Sequence, residues 1–387
     1  MLRALSSIVS LSLLLSCGPL TPPSATPPQG LSCQRVIVPS GDLAEALGRA
    51  GAGDCVILPG GTYSGTFVLP EDVSLAASAG ETVTLTDGEP VLTVRGGERS
   101  MVEGLSIVAG SGGGISIDPG PVRLVGVKVT QSQTNAISAS CTRADCAERE
   151  VVLTNCELTQ NAVGLRVTGA RVKVEGGRIA EQAGTSLSAG SGIVASAGAV
   201  VALSAVTVEA NENVGVLLDG AATRATIDGC AVKNNQGRGI WAQGQADDAG
   251  VATISVSGGE ISGNALVGIG ARDTSGLSVK DVLIKNTVAV RVPIDISHAE
   301  DVGDGVGLFS GTTNATLENV TLQDNARAQL LADGFGPNLR VVTSTLSGGR
   351  FRVVSQRSAD ALDVAPQLID DAGVPLIVQS TAINLLP

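Results

Sequence analysis

Val102-Glu-Gly-Leu-Ser-Ile107, Leu124-Val-Gly-Val-Lys-Val129, Leu153-Thr-Asn-Cys-Glu-Leu158 and Val174-Glu-Gly-Gly-Arg-Ile179 are one phrase written four times. It returns as Leu203-Ser-Ala-Val-Thr-Val208, Ile227-Asp-Gly-Cys-Ala-Val232, Val256-Ser-Gly-Gly-Glu-Ile261, Val279-Lys-Asp-Val-Leu-Ile284 and Leu317-Glu-Asn-Val-Thr-Leu322. Apolar residues usually hold the first, fourth and sixth places. The alternation reads as strand, and the Gly or Asn in third place reads as a bend. A second strand signal follows most phrases, as in Gly164-Leu-Arg-Val167, Gly215-Val-Leu-Leu218 and Gly239-Ile-Trp-Ala242. Short strands and tight turns recurring at this period describe a solenoid in which each turn of chain pairs with the next. The expected fold is all-β: a single right-handed parallel β-helix of about ten coils, on the order of 50 Å long at the spacing of paired strands.

The rest of the composition agrees. Aromatic residues are 2% of the chain and hydrophobic residues 43%. A narrow interior of stacked Val, Ile, Leu and Ala needs few rings. Asn161, Asn211, Asn235, Asn264 and Asn325 each fall five residues after the fourth place of a phrase, and Asn286 falls four after. They are expected to form a turn ladder, since Asn tolerates left-handed backbone and stacked amides bond along an axis. The net charge of −12 argues against nucleic acid, which asks for clustered Lys and Arg. It also argues against a polyanionic sugar, unless calcium bridges the two. Trp241 lies in a repeat strand, which points to packing in the core or on the coil surface.

The N-terminus carries an address. Arg3 precedes an apolar run from Ala4 to Leu15 that is too short to span a bilayer. It ends in Leu14-Leu-Ser-Cys17. This stretch resembles the signal of bacterial lipoproteins, which implies that residues 1–16 are removed and that Cys17 carries a lipid. Residues 17–31 contain five prolines and no charge, and read as an extended spacer. By analogy with lipoprotein sorting, the absence of Asp after Cys17 implies the outer membrane. Export permits disulfides. Cys33 with Cys55, and Cys141 with Cys146, are the expected pairs. Cys156 and Cys230 hold the same place three coils apart, too far to bond, and are expected as buried thiols. A single His and no Cys-x-x-Cys leave zinc little support.

Residues 32–360 then read as the β-helix domain and 361–387 as a C-terminal cap. The domain opens with Val36-Ile-Val-Pro39, Asp42-Leu-Ala-Glu-Ala-Leu47 and Gly53-Asp-Cys-Val-Ile-Leu-Pro-Gly-Gly-Thr-Tyr63. Asp42 and Glu45 have the spacing of a helix N-cap and its capping box. This opening and the repeats resemble right-handed parallel β-helix proteins of the pectate-lyase-like superfamily. The resemblance implies a strand and a short amphipathic helix that cap the rod. It does not imply one activity, because the superfamily holds lyases, glycosidases, epimerases, adhesins and members without a known reaction. The Gly-His-Gly segment and paired acids of polygalacturonase-like members have no match here. Arg291-Val-Pro293 resembles the Arg-Pro motif of pectate lyases, without its second Arg. His298-Ala-Glu-Asp301 is a partial match to the acidic loop of alginate epimerases.

Coil length is the last signal. Successive phrases begin 22, 29, 21, 29, 24, 29, 23 and 38 residues apart. The surplus falls at 141–149, 183–191, 243–250 and 287–304. Loops on a solenoid are where sites are built. The longest insertion gathers Arg291, Asp295, His298, Glu300, Asp301 and Asp304, including the single His. Arg291, Asp295, His298, Asp301 and Asp304 are therefore the candidate catalytic residues. Asp295, Asp301 and Asp304 could also hold Ca²⁺; no other cofactor is expected. The sequence supports a lipid-anchored envelope protein whose rod is a binding or structural surface. Its partner would be a polysaccharide or an envelope protein. A lyase, epimerase or glycosidase working through 287–304 is the alternative, and an adhesin or assembly partner a further one.

Overall fold

The computed structural model describes residues 25–118, 120–141, 149–184, 188–244, 252–293, 299–334, 338–356 and 377–380. Three parallel sheets run the length of a right-handed coil, and each turn of chain contributes one strand to each. The first sheet has 13 strands, the second 12 and the third 14. The second sheet, with one strand per turn, gives twelve turns, a little above the ten expected from the phrases, because the first turns before residue 100 lack the phrase.

The phrase is a corner. In 102–107, Met101–Glu103 belongs to the first sheet, Leu105–Val108 to the second, and Gly104 between them has φ +68°. The third-place residues Asn155, Ala205, Asp281 and Asn319 also have φ between +51° and +55°. A left-handed residue turns the chain sharply enough to start the next strand, which explains the preference for Gly and Asn there. The apolar places point inward. Val102, Leu105 and Ile107 are buried in a core that runs unbroken from Leu43 to Val353.

The second corner, between the second and third sheets, holds the Asn residues. All five are buried. None has a positive φ; the residue before each supplies the left-handed bend, as Gln160, Ala210, Asn234, Gly263 and Asp324 show. This corrects the backbone reason for the ladder. The Asn residues bond along the axis instead. Asn235 Oδ1 accepts from Asn211 N at 3.1 Å and from Asn211 Nδ2 at 2.8 Å, and Asn235 Nδ2 donates to Asn264 Oδ1 at 2.7 Å. Ser132, Gln182 and Thr287 fill the same rung in other turns, bonded to Asn161, Asn161 and Asn325 respectively. Asn286 sits one residue early, takes the bend at φ +54° and is exposed. A glycine lies beside the rung. A Cβ on Gly215 would come within 2.8 Å of Asn235 Nδ2 and 2.6 Å of Gly239 O.

The N-terminal end is closed by the helix Leu43–Gly48, whose Leu43, Ala46 and Leu47 are buried. Asp42 Oδ1 accepts from Glu45 N at 3.1 Å, as the capping pattern requires. Cys33 and Cys55 form a disulfide with their Cα atoms 5.4 Å apart. Ahead of it, part of the segment read as spacer lies against the first sheet. Ala79 N donates to Thr26 O at 2.9 Å, and Ala25, Leu31 and Cys33 pack on the outward side chains of Cys55, Ile57 and Ala76. Cys141 is also disulfide-bonded, and Cys146 lies outside the described residues. Cys156 and Cys230 are buried and free. Burial pushes the Cys156 thiol up to about 11. Cys17, the segment 1–16 and nearly all of 361–387 lie outside the described residues; Ile377–Ser380 adds a strand to the third sheet.

Candidate functional site

Two insertions stand on the corner between the second and third sheets. The longer one is a β-hairpin: Val290–Pro293 pairs antiparallel with the start of strand Ala299–Phe309. Arg291 lies opposite Asp301, and their side chains form an exposed ion pair at 3.8 Å. Asp295 and His298 lie outside the described residues. Asp304 is elsewhere in character. It is fully buried, and its carboxylate accepts from Arg327 Nε at 2.8 Å and from Ala328 N at 3.2 Å. With its oxygens bound to the next coil, Asp304 clamps the root of the hairpin and cannot also join Asp301 around a cation. Of the candidate residues, the structure brings Arg291 and Asp301 together and separates Asp304 from them. Among the described residues, no cluster of His, Cys, Asp and Glu has the arrangement of a metal site.

The shorter insertion borders a cleft of about 370 Å³. Gln131, Gln133 and Gln160 are among the residues that line it, with Ala162, Gly184 and Ala189 beside them. Gln131 and Gln160 are the left-handed bend residues of successive turns, at φ +62° and +58°. Stacking of identical corners therefore places these glutamines in line along the axis. An amide both donates and accepts, and suits the hydroxyls of a sugar.

Acids and bases alternate next to the cleft. Arg178 donates to Glu181 at 2.7 Å and to Glu209 at 2.6 Å, and Lys233 meets Glu209 at 3.3 Å. The hydrogen bond from Arg178 holds the Glu181 and Glu209 carboxyls below the usual range. Both are thus committed as anions. A hydrolytic pair needs one carboxyl kept protonated by a raised pKa, and this strip does not supply it. Glu103 does go up, through burial, but it belongs to the first sheet.

The outer face of the third sheet carries Trp241 together with two arginines, Arg166 and Arg238, that a linear reading passed over. Trp241 points away from the main core and is 4% exposed. It lies 5.3 Å from the Phe309 ring, over Gly270, where a Cβ would come within 2.2 Å of the indole. Val267, Leu331 and Val354 extend this apolar ridge. Of the two placements expected for Trp241, core or coil surface, the structure has the coil surface. The Arg238 guanidinium rests on the indole at 4.4 Å. Arg166 projects from the same sheet, with Nε donating to Asn135 Oδ1 and Nη2 to Ser188 Oγ, both at 2.8 Å. Burial lowers the pKa of both arginines. The available signal was positional: Arg166 shares an in-register row with Val194 and Leu217.

A family model described as "Right handed beta helix region" matches residues 92–281 and 191–363. No curated protein matches the chain. Among solved structures, the A-module of the mannuronan C-5 epimerase AlgE4 from Azotobacter vinelandii is similar at 15% identity, covering 87% of this chain and 89% of that one, with a TM-score of 0.52. A mannuronic acid specific polysaccharide family 6 lyase from human gut microbiota is similar at 12% identity over 90% and 92% of the two chains, with a TM-score of 0.36. A polygalacturonase from Erwinia carotovora ssp. carotovora is similar at 12% identity over 82% and 97%, with a TM-score of 0.34. At these identities the likeness to the epimerase module is one of fold, and the other two carry no argument.

Proposed function

The chain belongs to the right-handed β-helix family, and on that premise we propose that it is an exported, lipid-anchored protein that binds an extended polysaccharide along the corner between its second and third sheets. The observation that supports this is the shared corner. The glutamine-lined cleft and the hairpin stand on it, and a coil repeat of roughly 4.8 Å offers a long ligand equivalent contacts turn after turn. The test is calorimetric titration of the purified protein against a polysaccharide panel, with and without Ca²⁺, while product formation is followed. Saturable binding without product is the expected result. Silence across the panel would overturn the proposal and leave an envelope protein as the partner.

A second reading is turnover by a lyase, epimerase or glycosidase at the hairpin. It is favoured by the position of the hairpin on the same corner and by the mannuronan epimerase that shares the fold. Arg291, Asp295, His298 and Asp301 would carry the chemistry, and a Ca²⁺ requirement would show as loss of product with a chelator. His298→Ala and Asp295→Ala with undiminished turnover would remove the hairpin from consideration. Anchoring rests on Leu14-Leu-Ser-Cys17 and accords with the Cys33–Cys55 disulfide, which suits an oxidising compartment. Labelled fatty acid should enter the wild-type chain and not Cys17→Ser; equal labelling would refute Cys17 as the site.

A further inference from the structure

Arg166 and Arg238 are out of place in a protein of net charge −12. Both are half-buried, on the side of the third sheet that faces away from the core. Burying part of a guanidinium costs hydration, and proteins ordinarily recover that cost with a carboxylate. Elsewhere on this rod they do: Arg35 has Asp54, Arg178 has Glu181 and Glu209, and Arg327 has Asp304. Arg166 has only the neutral oxygens of Asn135 and Ser188. Arg238 has only the face of Trp241. Neither arginine has a carboxylate partner among the described residues. A third polar group nearby is also unsatisfied. Ser191 is fully buried, and its Oγ has no hydrogen-bond partner. It stands in the turn between Arg166 and the turns that lead to Arg238, opposite Val163 in the strand that bears Arg166.

The setting is the outer face of the third sheet, beside two insertions. Ser188, which holds Arg166, belongs to the insertion that borders the glutamine-lined cleft; the hairpin rises from the turn after Leu266–Arg272. Between them the corner is short and the face is apolar, with Val194, Val214 and Leu217. Arg166 is in register with Trp241, three coils and roughly 14 Å away at the spacing of paired strands, and Arg238 precedes that strand and covers its indole. The contact with Trp241 occupies a face of the Arg238 guanidinium and uses none of its N–H donors. A planar fork of that kind matches a carboxylate.

We propose that the ligand of this face is an acidic glycan, and that Arg166 and Arg238 are its carboxylate subsites, on turns three apart. The proposal rests on the polysaccharide reading above and narrows it to a substrate class. It also reverses the expectation drawn from net charge, because two arginines without a carboxylate partner among the described residues make this face locally positive.

The experiment is isothermal titration of the purified full-length protein with oligouronates of four to eight sugars, with the same oligosaccharides after carboxyl reduction, and with neutral oligosaccharides. Wild type, Arg166→Gln, Arg238→Gln, Arg238→Lys and the surface control Arg224→Gln are compared at low and high salt, and thermal unfolding of each variant is recorded. The expected result is binding of the acidic chains alone, weakened by salt. Each Gln variant should lose about tenfold in affinity, Arg238→Lys should fall between, and the control should not change. Equal binding of acidic and carboxyl-reduced chains would overturn the proposal while leaving the polysaccharide reading intact. So would acidic binding that is indifferent to both arginines. Absence of binding to every glycan would sink both. A variant that unfolds is set aside in favour of Arg238→Lys, which keeps the charge and the stack but loses the fork.

Discussion

At Ala205 the backbone is left-handed, φ +53°, in a corner where Gly serves in five other phrases. The side chain is exposed and packs on nothing that would justify the strain. Left-handed backbone costs a non-glycine residue about 1–2 kcal/mol, of which the greater freedom of an unfolded glycine takes back about half. Ala205→Gly should therefore raise stability by about 0.5–1 kcal/mol in denaturant titration. Thr343, β-branched at φ +49°, should respond at least as strongly to the same change. Gly215 predicts the opposite sign. Its Cβ would strike Asn235 Nδ2 and Gly239 O, so Gly215→Ala should cost about 1–3 kcal/mol as an overpacked site does. A Gly215→Ala protein as stable as wild type would show that neighbouring coils can part without penalty.

The rung of the second corner is an element made from residues remote in sequence. Asn235 accepts two bonds from Asn211 and donates two to Asn264, one of them from its side chain, all buried. Asn235→Ala leaves an N–H and an amide of Asn211 without an acceptor, and should destabilise by about 2–4 kcal/mol. Asn286→Ala, at the exposed bend, should cost under about 1 kcal/mol. Equal losses at the two positions would refute the distinction between bend and rung. The same contrast shows what was legible. The repeat revealed the corners because left-handed backbone restricts residue type, and the buried first, fourth and sixth places alternate with the pleat. Ser132, Gln182 and Thr287 were missed because a rung asks only for a side chain that can bond along the axis, and several residue types can. The candidate site was less legible again. Arg166 and Arg238 are 72 positions apart in the chain. Only the register of the third sheet, which aligns Arg166 with the Trp241 that Arg238 covers, brings them to one face, and Asp304 looked like a member of the loop until its bond to Arg327 placed it in the wall.

A rod of stacked coils opens from its ends, since each turn is held only by its neighbours. At the N-terminal end the first strand, Arg35–Ile37, has one neighbour, Asp54–Leu58, and is secured to it by the Cys33–Cys55 disulfide and by the Arg35–Asp54 pair. Replacing both cysteines frees a loop spanning 22 residues and should lower stability by about 3 kcal/mol in the chain-entropy account. The ion pair makes the same end sensitive to acid. The hydrogen bond from Arg35 holds the Asp54 carboxyl below its ordinary value. A depressed carboxylate stabilises the fold above its unfolded pKa, about 3.9, and that stabilisation is lost as pH falls through the lower folded value. Glu175, Glu181, Glu209 and Glu260 are depressed too and act in the same direction, whereas Glu103, raised by burial, acts against them. Asp54→Asn isolates the end from the rest. In wild type, hydrogen exchange at Val36 and Ile37 should accelerate between pH 5 and pH 3 after correction for intrinsic rates, ahead of the strands at the middle of the rod. In Asp54→Asn those amides should exchange fast at both pH values and lose the pH dependence. If the variant kept the wild-type profile, the acid-sensitive step would lie with the glutamates along the rod and not at its N-terminal end.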